Sequence, residues 1–338
     1  TLSLCGVLQV TGGAAASSEP AAFLGRRLAA ACDASAVSFA GPPGDAVPSP
    51  GCAALAAQAS PPWCASHAAD GMRSIEVEEP DFGQNLTRRY FIQFPRGPAC
   101  DGASAARPAP LLLFYHGQGG SAASEPFRPW MARTSPTCAE ANGYISVYPQ
   151  GLNDHLRSLK QANGLPTHNK AADLGTGWNV GSGGDEATCW TESDGDLVPP
   201  TEYSCYRSCV RLGRCGRCNW STCHDDVAFT KALLSELTMQ YCIDMTRIYL
   251  AGQSNGGMFA HHVSQQLPRA FAAVSPLYGL PLLGYLMAGT DELLRSAAEL
   301  RDTAFLQFHG RQDRIIPLRG GMAPTAGWTW YYEPLTAV

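Results

Sequence analysis

The motif Gly252-Gln-Ser-Asn-Gly256 places a serine between glycines at the end of a run of apolar residues. The preceding residues Arg247–Ala251 have the branched and aromatic composition of a buried strand, and residues 257–267 have the pattern of a helix. A sharp turn from strand to helix strains the serine backbone, exposes its hydroxyl, and points the helix amino end at the same place. The pattern predicts that Ser254 is a nucleophile for acyl transfer; the alternative is an ordinary glycine-rich turn.

Acyl transfer through a serine needs hydrogen-bond donors for the oxyanion that develops on the carbonyl oxygen. The amide of Asn255 directly follows the serine and is one candidate. The glycine-rich loop His116-Gly-Gln-Gly-Gly120 follows the strand pattern Leu111–Tyr115, and glycines let a backbone approach a substrate closely. We predict the amide of Gln118 as the second donor; the alternative is a tight turn that binds no ligand.

An acid must also orient the histidine that takes the proton of the serine. Asp313, in His309-Gly-Arg-Gln-Asp313, follows a further strand pattern and is the predicted acid. The alternative is an aspartate that only forms a turn. His309 is predicted to support the end of that strand rather than to act as the base.

Short apolar runs closed by Gly or Pro alternate with helical patterns along much of the chain. Such runs are typical of strands that are buried on both faces, and their alternation with helices indicates a mostly parallel α/β sheet flanked by helices. Asp225-Asp226 is predicted to cap the helix before the nucleophile strand. Sites in such sheets form at the carboxyl ends of strands. The remaining predicted strands are 89–94, 144–148, 271–275 and 304–308.

Thirteen cysteines and the sequons at Asn85 and Asn219 favour an oxidising, extracellular compartment. Residues 1–18 resemble the remnant of a signal peptide. Residues 19–75 are predicted to form a loosely structured extension that contains cysteines. Residues 76–338 are predicted to form one catalytic domain. The breakers Pro48-Ser-Pro-Gly51 are expected to interrupt regular structure. Residues 181–224 form a cysteine-rich insertion for which disulfides are favoured over zinc, with connectivity left open. A Cys138–Cys242 bridge is a guess.

Charge and hydropathy exclude some classes of partner. The net charge of -5, with 24 Lys and Arg, argues against nucleic acid, which needs a basic surface. No apolar run approaches the roughly 20 residues of a membrane span. With 45% hydrophobic residues the chain can bury a substantial core.

Together the motifs resemble the α/β-hydrolase superfamily, in particular secreted esterases of the polyhydroxybutyrate-depolymerase and feruloyl-esterase type. Residues 246–258 resemble that family's nucleophile turn and 116–120 its oxyanion loop. Residues 148–151 with 177–179 resemble a segment that shapes the substrate cleft, which places Trp178 there. The resemblance covers about residues 86–335. It implies ester hydrolysis by Ser, His and Asp without a cofactor or metal, on plant or algal polysaccharide esters or polyesters.

The order of residues departs from that family, in which the histidine follows the acid. All eight histidines precede Asp313. We therefore expect a fragment of a longer product, with the catalytic histidine beyond Val338 and the fragment itself nearly inactive. Two alternatives stay open: a secreted binding protein that lost the base, and a serine hydrolase similar to prolyl peptidases.

Overall fold

A central sheet organises the part of the chain that the structure describes. The computed structural model describes residues 46–56, 70–94, 108–122, 144–153, 176–181, 191–193, 196–198, 208, 211–212, 221–281, 303–322 and 331–332. The strands are β1 (Gly71–Glu79), β2 (Gln84–Gln93), β3 (Ala109–Tyr115), β4 (Ile145–Gln150), β5 (Leu152–Asn153), β6 (Thr176–Gly177), β7 (Thr191–Ser193), β8 (Asp196–Val198), β9 (Ile243–Gln253), β10 (Ala273–Leu277), β11 (Ala304–Phe305), β12 (Gly321–Met322) and β13 (Tyr331–Tyr332). The helices are α1 (Pro50–Ala56), α2 (Asp226–Gln240) and α3 (Asn255–Gln266), with a 3-10 turn at Pro80–Phe82.

Seven strands form one sheet in the order β1-β2-β4-β3-β9-β10-β11. The ladders from β4 through β3, β9 and β10 to β11 are parallel, whereas β1–β2 and β2–β4 are antiparallel. Strands β3 and β4 are mostly buried, as expected of continuous apolar runs covered on both faces. The predicted mostly parallel α/β sheet, with strands near the predicted positions, is confirmed.

Helices α2 and α3 pack on the sheet, α2 against β1 and α3 against β9 and β10. The Asp225 carboxylate accepts a hydrogen bond of 2.8 Å from the amide of Ala228, so the predicted cap of α2 is present. The helix buries Phe229, Leu233 and Leu237 at helical spacing in the main core cluster.

Among the described helices, none combines the length and hydrophobicity that crossing a bilayer would need.

The segment at residues 46–56 is ordered against the sheet, which corrects two expectations. Pro50 begins α1, where a proline is tolerated because the first helical amides have no intrahelical acceptor. Cys52 forms a disulfide with Cys242, so the guessed Cys138–Cys242 bridge is wrong. Ser49 donates its hydroxyl to the Tyr241 carbonyl at 2.7 Å. These contacts hold this part of the predicted extension against the sheet, and the first strand of that sheet, β1, begins at Gly71.

Residues 1–45 and most of the cysteine-rich insertion lie outside the described residues. The predictions of a signal-peptide remnant and of disulfides within the insertion therefore concern residues that the structure does not describe. At the end of the insertion Cys223 is disulfide-bonded and buried. Ser221 and Thr222 beside it are also buried, which fixes the return of the chain into α2.

Candidate active site

The strand-to-helix turn at Ser254 has the predicted form. Strand β9 ends at Gln253 and α3 begins at Asn255, so a single residue makes the reversal. Ser254 has φ 51° and ψ -119°, a conformation that L-residues rarely adopt. A non-glycine residue held in such a region stores backbone strain, which is typical of functional positions.

Glycines allow the turn to be this tight. A Cβ on Gly252 would lie 2.2 Å from the Gly256 carbonyl oxygen, and one on Gly256 would lie 2.3 Å from the Tyr115 oxygen. A Cβ on Gly279 would lie 2.4 Å from the Ser254 oxygen. All three contacts are with backbone, so a side chain at any of these positions would push the strand, the helix or the neighbouring loop apart.

The loop His116–Gly120 lies next to the serine. A Cβ on Gly117 would stand 3.4 Å from the Ser254 Cβ, and Tyr115, just before the loop, pairs with Gly252 in the parallel ladder. Asn255 is the first residue of α3, and the first amides of a helix point outward without intrahelical acceptors. Gly117, the neighbour of Gln118 in the chain, and Asn255 therefore both lie next to Ser254, and the assignment of the Gln118 and Asn255 amides to the oxyanion stays a prediction.

His116 fixes the shape of this loop as a neutral ring. Its Nδ1–H donates to the Gly117 carbonyl at 2.7 Å, and its Nε2 accepts the Gly151 amide at 2.9 Å. Burial lowers the pKa of His116 from 6.5 to about 4, since desolvation penalises the charged imidazolium. The neutral tautomer with a proton on Nδ1 satisfies both contacts.

Trp178 supports the site from within the protein. Its side chain is 0% exposed, stacks on Phe259 and meets Tyr115 edge to face. Its indole Nε1–H donates to the His116 carbonyl at 2.8 Å. A fully buried ring offers no surface to a substrate, so the prediction that Trp178 lines the cleft is corrected: it supports the oxyanion loop instead.

Asp313 follows β11 at the same edge of the sheet, two strands away from Ser254. The Ser254 amide donates to the Leu277 carbonyl at 2.9 Å, and the Tyr278 amide donates to the Phe308 carbonyl at 2.6 Å, which aligns the three strand ends. One Asp313 oxygen, Oδ1, accepts the amides of residues 315 and 316 at 2.8 and 2.9 Å. These bonds fix the carboxylate in a turn beyond the strand.

The described histidines have contacts away from the serine hydroxyl. His309 donates from Nε2 to the Ile316 carbonyl at 2.6 Å, which confirms its predicted role at the strand end; its Nε2 also lies 3.6 Å from Asp313 Oδ2. His261 donates to the Gly279 carbonyl at 3.2 Å, and His224 pairs with Glu79 at 2.8 Å. His262 packs against Phe259.

Tyr278 was not singled out from the sequence. It has φ 40°, and its hydroxyl donates to Gln253 Oε1 at 2.6 Å, directly before the nucleophile. The neighbouring glycine at 279, which follows a strand end, is the one local pattern that indicates a tight turn here.

Sequence comparison identifies relatives among esterases. The chain is 26% identical over 237 residues to feruloyl esterase B of Piromyces equi, a match that covers 70% of this chain and 31% of that protein. It is 29% identical over 98 residues to probable feruloyl esterase C of Aspergillus niger, a match that covers 29% of this chain and 32% of that protein. A bifunctional acetylxylan esterase/xylanase of Neocallimastix patriciarum is 34% identical over 91 residues, 27% of this chain and 12% of that protein. The chain therefore spans about a third or less of the length of these relatives.

Solved structures with similar backbones include a thermostable esterase, with a TM-score of 0.41 and 16% identity over 73% of this chain and 48% of that one. A ferulic acid esterase aligns with a TM-score of 0.34 and 13% identity, over 71% of this chain and 91% of that one. No protein-family profile matches the chain. The sheet is mostly parallel, the turn at Ser254 joins a strand directly to a helix, and the sequence relatives are esterases.

Proposed function

We propose that the protein is a serine carboxylic-ester hydrolase that acts through an acyl-enzyme. The observation that carries the proposal is the strained turn at Ser254 beside the glycine-rich loop that holds Gln118. The sequence similarity to feruloyl and acetylxylan esterases supports the same chemistry. Neither a metal nor an organic cofactor is required for this reaction.

The proposed reaction has two balanced halves. Ser254 Oγ attacks the ester carbonyl carbon while its proton passes to a histidine base, and the carbonyl oxygen becomes an oxyanion between the amides of Gln118 and Asn255. The intermediate then collapses: the ester C–O bond breaks, and the alcohol leaves with that proton. Water repeats the sequence on the acyl-enzyme and releases the acid. Asp313 orients the histidine, which we assign to a position outside the described residues.

The proposed substrates are feruloyl or acetyl esters on plant or algal polysaccharides, with polyesters as a further class. The names of the relatives support the feruloyl and acetyl esters. Trp178 is buried, so we propose that other side chains contact the acyl group, among them the partly buried Tyr278, which is bonded to Gln253 beside the nucleophile.

We further propose that the protein works outside the cell as a glycoprotein. The Cys52–Cys242 disulfide is typical of oxidising compartments, and Asn85 of the first sequon is exposed on β2. Expression in a secreting eukaryotic host should give a glycan at Asn85, detected by deglycosylation and peptide mapping. An unmodified Asn85 in the secreted protein would contradict the glycoprotein proposal.

The test of the enzyme uses the full-length gene product that carries these residues. A fluorophosphonate probe should label Ser254, located by peptide mass spectrometry, and Ser254→Ala should abolish hydrolysis of methyl ferulate and p-nitrophenyl acetate. Ser264→Ala is the matched control, because this serine lies on α3 and donates to the His261 carbonyl at 2.9 Å. Retained labelling in Ser254→Ala, or a wild-type protein that neither reacts nor hydrolyses either ester, would refute the proposal.

A further inference from the structure

Residues Thr176–Asn179, here called the brace, run alongside the oxyanion loop and are hydrogen-bonded to its main chain. The Gly119 amide donates to the Thr176 carbonyl at 2.8 Å, and Thr176 Oγ1 donates to the Gly120 carbonyl at 2.7 Å. The indole of Trp178 donates to the His116 carbonyl at 2.8 Å. These bonds hold both ends of the loop that carries Gln118.

The brace also contacts both residues whose amides we assign to the oxyanion. The Trp178 amide donates to Asn255 Oδ1 at 2.9 Å. A Cβ on Gly177 would lie 2.8 Å from Gln118 Oε1 and 3.4 Å from Asn255 Oδ1, so both side chains lie close to the brace backbone. The brace therefore contacts both the oxyanion loop and the first residue of α3, so it holds the two at a fixed distance from each other.

The other end of the brace is anchored in the core. The Asn179 amide donates to Asp226 Oδ2 at 2.6 Å, and Asp226 Oδ1 pairs with Arg88. Both charged side chains are buried, and the guanidinium of Arg88 also lies 4.1 Å from the ring centre of Phe229. A buried pair of this kind adds little net stability, but its carboxylate oxygens have fixed positions, which suits an anchor.

We propose that the brace is a positioning device for the oxyanion hole, with Thr176 and Trp178 as its positioning residues. The inference rests on the proposed esterase function. Both donors must stand about 2.7–3.1 Å from the oxyanion, and a misplacement of about 1 Å can cost roughly 100-fold in rate. Neither side chain touches substrate; each acts through the loop.

Three variants of the full-length product test the proposal. Thr176→Val removes the hydroxyl at almost constant shape and should lower kcat about fivefold, whereas Thr176→Ser should retain it. Trp178→Phe keeps an aromatic ring but loses the N–H, and should lower kcat about tenfold or more. In both cases KM and the inhibition constant of free ferulate should change less than about twofold, because the ground state does not use the oxyanion geometry. The affinity for phenylboronic acid, which forms a tetrahedral serine adduct, should fall in parallel with kcat.

Tyr90→Phe is the control for a general loss of packing or stability. Its hydroxyl donates to Glu236 Oε1 at 2.6 Å between β2 and α2, away from the loop, so kcat should stay at the wild-type value. Equal kcat and phenylboronate affinity in wild type, Thr176→Val and Trp178→Phe would overturn the inference. So would a fall of the same size in Tyr90→Phe. Failure of the esterase proposal looks different, because the wild type itself would then lack activity and Ser254 labelling.

Discussion

Replacement of Ser254 by glycine should make the protein more stable than replacement by alanine, although both remove the nucleophile. The serine has φ 51° and ψ -119°, a region that glycine enters freely and that a Cβ makes unfavourable. Alanine keeps the Cβ and its strain, whereas glycine releases it. The comparison isolates the backbone strain because neither variant has a hydroxyl.

The size of the difference follows from two opposing contributions. A non-glycine residue in such a region costs about 1–3 kcal/mol. Glycine loses roughly 0.5–1 kcal/mol more conformational entropy on folding than alanine does. The net advantage of Ser254→Gly over Ser254→Ala is therefore about 1 kcal/mol, with limits of about 0 and about 2.5 kcal/mol.

Urea unfolding of the oxidised protein, followed by tryptophan fluorescence, measures the difference. With a slope of about 3 kcal/mol/M, the midpoint of the glycine variant should lie about 0.3 M higher. Ser264 on α3 is the matched control: in a helix, glycine is about 1 kcal/mol less favourable than alanine, so the sign should reverse. An alanine variant at 254 that is more stable than the glycine variant would refute the strained-turn reasoning.

Three further results are expected. Replacing Cys52 and Cys242 by alanine should lower the free energy of unfolding by up to about 5 kcal/mol, because the bridge closes a loop of 190 residues; unchanged urea unfolding would contradict this. Burial lowers the pKa of His116 to about 4, so the unfolded chain takes up the proton first as the medium is acidified. The contribution of neutral His116 to the free energy of unfolding should be complete above about pH 6.5 and should fall by up to about 3 kcal/mol toward pH 4. An NMR titration of the folded protein in which His116 has its midpoint near pH 6.5 would contradict this prediction. Arg88→Met should lower the free energy of unfolding by about 3–5 kcal/mol, because it leaves the buried Asp226 carboxylate without its guanidinium partner. The double variant Arg88→Met, Asp226→Asn should recover part of that loss. If the effects of Arg88→Met and Asp226→Asn add up in the double-mutant cycle, the two side chains are not coupled and the prediction is contradicted.

The sequence predicts those elements whose causes are local. Apolar runs closed by glycine or proline predicted β3, β4, β9 and β10, because a strand buried on both faces needs little else. The turn at Ser254 was predictable because its tight geometry requires small residues at fixed positions on either side.

Features that depend on distant contacts were missed. The partner of Cys242 lies 190 residues away, and no local pattern selects it. Strand β1 alternates between covered and exposed positions, but Arg73 and Glu79 lie on its covered face and Met72 on its exposed face, so the apolar residues of the sequence do not follow that alternation. Trp178 lies outside regular periodicity, and a ring in a loop gives no indication of burial. Asp226 was predicted as part of a helix cap, whereas its carboxylate accepts a hydrogen bond from Arg88 of β2.

The crystal structure of the full-length product with phenylboronic acid tests the central claim most directly. The account predicts boron bonded to Ser254 Oγ, one boronate oxygen within about 3.1 Å of the amides of Gln118 and Asn255, and Asp313 bonded to a histidine that faces the serine. Boron on another residue, or a boronate oxygen that points away from both amides, would contradict it.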